Sequence, residues 1–314
     1  MIKYYLTREG VTEKVEELTD GAWVNVYAPT NAEIEEIQTT FDLPEEFLRS
    51  SLDEEETSHI VTEDDKTLIV LDIPCSDKNG DEVTYYTTPF GIILTKTNII
   101  TVCTKNHSVI REIAKGAVKD INTAHKTQFL LHILYRVATR FLQYIHLMQK
   151  KSDSLEKKLR LSMRNEELVQ LLDMQKAFVY FHTSLKSNEL TLSKIMRTRN
   201  IKMYEDDQDL MEDVMIEIKQ AIEMSSIYLN ILSETMDAFA SVISNNLNNV
   251  MRLLAAITLV LSVPTMIFSF YGMNIGTEAG GLPFANNVVV PLVISLVLVA
   301  ICIIVLFAKP KIKK

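Results

Sequence analysis

Between Ala117 and Val263 the chain has no glycine and no proline. A run of about 147 residues without either breaker points to nearly continuous helix. Cysteine is scarce as well. Cys75, Cys103 and Cys302 lie far apart with no C-x-x-C, which excludes a disulfide framework and a zinc site and suits a reduced, cytosolic setting. The six histidines are scattered. His125 and His132 share a helix face, but no carboxylate-bearing metal motif accompanies them, so they read as core or surface histidines. There is no basic excess: the net charge is −9, which removes the signature of a nucleic-acid binder. No glycine loop cradles a phosphate, no nucleophile elbow is present, and no nucleophile–base pair or metal triad stands out. An enzyme is therefore not expected, and neither is a cofactor. Residues 1–20 lack a basic head followed by an apolar run, so no signal peptide is expected.

The chain of 314 residues, 47% apolar, is long enough for one or two domains with real cores. Acids crowd residues 1–90 and 205–217, while the end, "KPKIKK", is purely basic. An acidic soluble part attracts cations and equally serves solubility. Residues 1–115 read as an α/β domain. The runs "IKYYL", "AWVNVY", "TLIVLDI", "VTYYTT", "FGIIL" and "NIITVC" are rich in β-branched and aromatic residues and bounded by turn residues. "SDKNGDE" predicts a hairpin turn centred on Asn79-Gly80. Two helices interrupt the strands. One opens on a capping box of Thr30 and Glu33; the other opens at Asp42, with Pro44, Glu45 and Glu46 in its first turn.

The long breaker-free stretch predicts three helices, over 120–160, 163–200 and from about 207, with polar breaks near "SLKSNEL" (184–190) and "RTRNIKMYEDDQ" (197–208). Residues 116–204 then form a helical hairpin and 205–252 a stalk. The last helix has no stop before the apolar run, so it extends to about Phe270, roughly 95 Å. Residues 253–270 and 288–308 are each long and apolar enough to cross a bilayer. The loop 271–287 carries no Lys or Arg, whereas Arg252 and the basic tail 309–314 flank the spans. By the positive-inside rule both termini are cytoplasmic and the protein is a multi-pass protein of the cytoplasmic membrane. The fold class is α+β: an N-terminal cytosolic α/β domain, a helical hairpin, and a very long stalk helix continuing into the first of two C-terminal spans.

Alternating steps of three and four along the first span give Asn248, Met251, Ala255, Thr258, Ser262, Thr265 and Ser269. This face is small or polar nearly throughout. Two readings fit it: close helix packing through small and hydroxyl residues, or the wall of a pore. Continued backwards, the same spacing reaches Ser244, Ser241, Asp237, Glu234 and Asn230. Polarity thus persists from cytosol into membrane, which suits a wet channel better than a sealed seam. The second span has only Ser295 as a main polar residue and is expected to lie outside, toward lipid. Two spans cannot enclose an aqueous path, so several copies must each contribute one helix. Asn274, at the turn after the span, would then form a ring of uncharged carbonyl oxygens at the outer mouth. Mg²⁺ dehydrates reluctantly, and amides can hydrogen-bond its hydration shell where charged rings would hold the ion too long.

"YGMN" (271–274), ending the first of two C-terminal spans, resembles the signature of the CorA family of magnesium and cobalt transporters. "SNNLNNVMRLL" (244–254) resembles the start of that family's pore helix, and the order of acidic domain, hairpin, stalk, spans and basic tail is similar too. The resemblance implies a homopentameric funnel taking up Mg²⁺, and also Co²⁺ or Ni²⁺. Gly272, Met273 and Asn274 would be its selectivity filter, and Asn248, Met251, Leu254, Ser262 and Thr265 its pore-lining and gating positions. The loop departs from the family's usual Met-Pro-Glu type: "GGLPF" (280–284), with Glu278 as its one acid, resembles the ZntB branch, associated with zinc. Pro264 stands one residue later than the family's usual proline. The family senses cytosolic Mg²⁺ through acids between subunits. Asp213 falls at a matching stalk position, and Asp209, four residues earlier, shares its face; acids at a solvated helix start read equally as partners of the helix dipole. The residue aligned as partner is Ser50, not an acid, leaving Asp53, Glu54 or Glu55 to stand in. A proton-coupled zinc transporter of the same fold and a non-transporting membrane-tethered coiled coil are the competing readings.

Overall fold

The computed structural model describes residues 1–80, 82–118, 121–162, 165–198, 200–273 and 287–307. The chain forms two compact units, Met1–Glu234 and Thr235–Lys314. The first is built on a seven-stranded sheet of β1 (Ile2–Arg8), β2 (Val11–Val15), β3 (Trp23–Tyr27), β4 (His59–Glu63), β5 (Lys66–Asn79), β6 (Glu82–Leu94) and β7 (Ile99–Cys103). Their order is β2-β1-β3-β7-β6-β5-β4. Every neighbouring pair is antiparallel except β3 and β7, which run parallel from Trp23↔Ile99 to Tyr27↔Cys103.

Helices α1 (Asn31–Phe41) and α2 (Glu45–Leu52) cover one face of the sheet. Ile37, Phe47 and Leu48 meet Val24, Val26, Leu68, Val70, Ile93, Ile100 and Val102 there. Alternation along β3 sends Trp23 to the other face. Its ring lies 4.9 Å from Tyr5 and 5.3 Å from Phe129 of α4 (Lys126–Ser162). Phe141 of α4 meets Phe181 of α5 (Asn165–Arg197) edge-on at 5.3 Å. The short helix α3 (Ser108–Ala114) follows β7.

Helix α6 (Glu205–Tyr271) is a single 67-residue helix with Pro264 inside it, and α7 (Val289–Phe307) follows. Both contain a window long and apolar enough to cross a membrane. Pro264 removes one rung of the α6 ladder, the bond to the carbonyl of Val260.

Several local expectations change. The runs "VTYYTT" and "FGIIL" are one strand, β6, with Pro89 inside it, and β2, β4 and α3 were not foreseen. The hairpin turn is shifted by one residue: Asn79 still pairs with Glu82, and Gly80 takes φ +63° in the turn. Asp42 does not open α2. It ends α1 in the left-handed conformation, at φ 50°, and its carboxylate takes Lys66 at 2.9 Å. Pro44 is the α2 N-cap and supplies no side-chain bond. The capping box of α1 forms as predicted, with Glu33 N donating to Thr30 Oγ1 at 3.3 Å and Thr30 N to Glu33 Oε2 at 2.8 Å. Helix α4 starts at Lys126, not near residue 120. "SLKSNEL" is not a break, because α5 runs straight through it.

That polar stretch is spent on the sheet. The pairing of β5 with β4 ends at His59↔Val70, so the next main-chain groups of β5 on that edge lack a strand partner. The side chain of Asn188 replaces it: Asp72 N donates to its Oδ1 at 2.9 Å, and its Nδ2 donates to Asp72 O at 2.8 Å. Ser58 donates to the same Oδ1 at 2.7 Å, and Ser184 meets Thr87 at 2.9 Å.

Candidate functional site

Within the second unit, α6 has two unlike sides. Ala256, Val260, Val263 and Ile267 recur at helical spacing and are its more covered residues, with α7 covered at Pro291, Ser295 and Cys302. Val263 and Ile267 line an apolar cleft with Leu298, Ile301 and Cys302 of α7. At 3.6 residues per turn the stripe of Met251, Ala255, Thr258, Ser262, Thr265 and Ser269 lies on the opposite side. All six are exposed, as are Asn248 and Leu254. Thr258, Ser262, Thr265 and Ser269 line one open groove with Leu261 and Met266. Most of α7 is exposed on the single chain, as is most of the apolar part of α6, and Ser295 is buried at 6% exposure.

The hydroxyls of the stripe turn their protons inward. Thr258 donates to Leu254 O at 2.9 Å, Ser262 to Leu259 O at 2.8 Å and Thr265 to Leu261 O at 3.0 Å. Each oxygen is then an acceptor toward the groove. A face of uncharged acceptors solvates cations and the hydrogens of water.

At the end of α6, Gly272 N closes the last turn on Phe268 O at 2.9 Å. Its φ is not positive, and a Cβ there would stand 3.2 Å from Phe268 O. Tyr271 packs edge-on against Phe270 at 6.0 Å, and Met273 is exposed. Asn274, with Glu278 and the "GGLPF" segment, lies outside the described residues.

In the first unit, α6 begins after Tyr204, whose N–H donates to the buried Asp207 at 3.0 Å. Asp207 is thus a helix cap rather than one more acid of the crowded 205–217 segment. Asp209 and Asp213 both face solvent on the following turns. Asp53 ends α2, accepts Glu55 N at 3.0 Å, and lines a cleft of about 330 Å³ with Arg49, Ser50 and Glu56. Among the described residues no group of three or more His, Cys, Asp or Glu side chains could hold a metal ion within this one chain. Neither histidine of the 125/132 pair belongs to such a group.

Cys75 and Cys103 are buried in structure, not in a site. Cys75 Sγ lies 3.1 Å from His107 Nδ1. Burial pushes the Cys75 thiol up to about 11 and Cys103 to about 12. Burial, with the charges of Lys105 and Arg111 behind it, brings His107 down to about 4. A neutral thiol hydrogen-bonded to a neutral imidazole is a structural contact, not an activated nucleophile.

Residues 19–309 match the family described as CorA-like Mg²⁺ transporter protein. The chain is 27% identical over 269 residues to the cobalt/magnesium transport protein CorA of Methanocaldococcus jannaschii, covering 84% of this chain and 82% of that one. The complete structure of the CorA magnesium transporter from the same organism superposes with a TM-score of 0.80 at 23% identity, covering 99% of this chain and 98% of the other. The cytoplasmic domain of ZntB from Vibrio parahaemolyticus has a similar fold, with a TM-score of 0.60 at 12% identity over 79% of this chain and 98% of that domain. With the match extending over both units, the chain belongs to the CorA-like Mg²⁺ transporter family.

Proposed function

We propose that this chain is a divalent-cation channel that takes up Mg²⁺, and also Co²⁺ or Ni²⁺, across the cytoplasmic membrane as a homopentamer. The observation that carries this reading is the exposed acceptor stripe of α6, turned away from the α7 side. Lipid gives such a face nothing to bond, whereas a water-filled axis shared by copies of α6 does. Asn248, Met251, Leu254, Ala255, Thr258, Ser262, Thr265 and Ser269 line the path in this reading. The apolar level of Met251 and Leu254 is its gate, closing by dewetting. Gly272, Met273 and Asn274 form the filter, where amide oxygens bond the water shell of the ion and leave it intact. Both termini, the acidic unit and the basic tail are cytoplasmic, and the loop 271–287 is external.

Mg²⁺ also acts as a regulatory ligand. Asp213 and Asp209 on one copy, facing Asp53 on the next, bind it between subunits. Their exposure on a single chain leaves them free to do so. Bound Mg²⁺ stabilises a closed ring, and its loss leaves carboxylates repelling across the interface.

The test is cation flux into proteoliposomes. Mg²⁺ or Co²⁺ entry is expected, falling at least about tenfold in Asn274→Ala, equivalent to ~1.4 kcal/mol at the filter. Asp213→Lys is expected to conduct even with high Mg²⁺ inside. Zinc flux alone, driven by a pH gradient, would move the protein to a ZntB-like activity. No flux of any ion from a well-folded oligomer would leave a membrane-tethered scaffold instead.

A further inference from the structure

A cleft of about 1050 Å³ opens in the first unit where the end of β6, the start of α4 and residues 200–207 meet. Its charges are unevenly matched. Lys96 is paired with Asp65 at 2.7 Å, and Asp207 is occupied by the N–H of Tyr204. Lys126 and Lys202 also line the cleft, and neither has a carboxylate partner among the described residues. The Lys126 ammonium is held by two main-chain carbonyls, Thr95 O at 2.6 Å and Lys96 O at 2.5 Å. Burial lowers its pKa from the usual lysine value.

The same wall carries main-chain donors. Helix α4 has 37 residues, and its first intrahelical bond to the preceding residue is Phe129 N to His125 O at 2.8 Å. The amides of Lys126, Thr127 and Gln128 have no acceptor among the described residues. Thr127 Oγ1 donates to Lys202 O at 3.1 Å, which fixes the 200–204 segment over this helix start. The ring of Tyr204 stands at the rim, 75% exposed. Asp206 is the one lining acid with neither an ion pair nor a capping role among the described residues.

Two ammonium groups without a carboxylate partner and free helix amides in one cleft favour a phosphorylated anion. The volume is far beyond one phosphate and suits a drug-sized ligand. An exposed ring at the rim offers a stacking face for a planar base. Asp206 would repel a bare polyphosphate, but it accepts one whose charge is bridged by a hard divalent cation. We propose that the cleft between β6, the α4 start and residues 200–207 binds a nucleoside polyphosphate as its Mg²⁺ complex. The ligand would contact the first turn of α6.

Equilibrium dialysis of the full-length protein in detergent with radiolabelled ATP and Mg²⁺ tests this directly. Flux is not read, so the result is independent of the transport reading. Saturable binding is expected, weakened about tenfold or more by Lys202→Glu and several-fold by Tyr204→Ala. Both side chains are exposed, so the variants should fold, and Trp23 fluorescence checks that they do. Chelating the Mg²⁺ should weaken ATP binding in the wild type and do so less in Asp206→Asn. No saturable binding up to millimolar ATP would overturn the proposal. So would binding that both variants leave unchanged, or tripolyphosphate binding as well as ATP with Tyr204→Ala without effect.

Discussion

At the scale of single residues, two positions carry more of the first unit than their size suggests. A Cβ on Gly91 of β6 would lie 1.9 Å from Ser51 Oγ and 2.4 Å from Ser51 Cβ. Ser51 is fully buried and donates to Phe47 O at 2.6 Å, so it cannot swing away. Gly91→Ala should therefore lower stability by about 1–3 kcal/mol, the usual range for overpacking. Ser51→Gly in the same chain should recover part of the loss. Trp23 is the sole tryptophan and is fully buried in this unit, so its fluorescence reports the thermal midpoint. The second position is His107. Its folded-state pKa of about 4 lies below the ordinary 6.5. The unfolded chain therefore takes up a proton that the fold refuses. Stability from this group is complete above about pH 6.5 and is lost as pH falls toward 4. A loss of about 2–3 kcal/mol is expected between pH 7 and 4.5, measured by Trp23 fluorescence. His107→Gln should flatten that part of the pH profile while Cys75, Lys105, Arg111 and Asp77 remain.

At the scale of elements, the docking of α5 is the clearest case of what residue patterns hide. "SLKSNEL" read as a break because its polar residues interrupt the apolar period. The structure shows that polarity bonding to the exposed edge of β5, where β4 stops short. The need arises from a strand that ends more than a hundred residues earlier, so no local pattern could reveal it. Asn188→Ala should leave the N–H and C=O of Asp72 unpaired and destabilise the first unit by about 2–4 kcal/mol. Ser184→Ala should cost about 1–2 kcal/mol, since its hydroxyl bonds both Thr87 and the Asp72 carboxyl. By contrast, the capping box of α1 and the polar stripe of α6 were legible, because each is a local spacing rule. The α7-facing side of α6 was not, because Val260 and Ile267 are no more apolar as a pair than Leu261 and Phe268 on the faces beside them.

At the scale of the whole molecule, the stripe of α6 separates a pore from a packing seam by accessibility. The native cysteines make a quiet background, since Cys75 and Cys103 are buried and Cys302 lines an apolar cleft. Cysteines placed at Thr258, Ser262 and Thr265 should react with a hydrophilic thiol reagent in intact vesicles. Those placed at Ala256, Val260 and Val263 should not. Equal protection at all six would support a sealed helix seam. The sheet of the first unit has a consequence of another kind. Its two antiparallel groups, β2-β1-β3 and β6-β5-β4, are joined in the sheet through β7, which pairs with β3 on one side and β6 on the other. Each group can zip from its own hairpins while the chain is being made, but neither can join the other until residues 99–103 have left the ribosome. A nascent chain halted before that point holds two open edges waiting for one strand. Premature termination there should yield an aggregating fragment and no smaller stable domain.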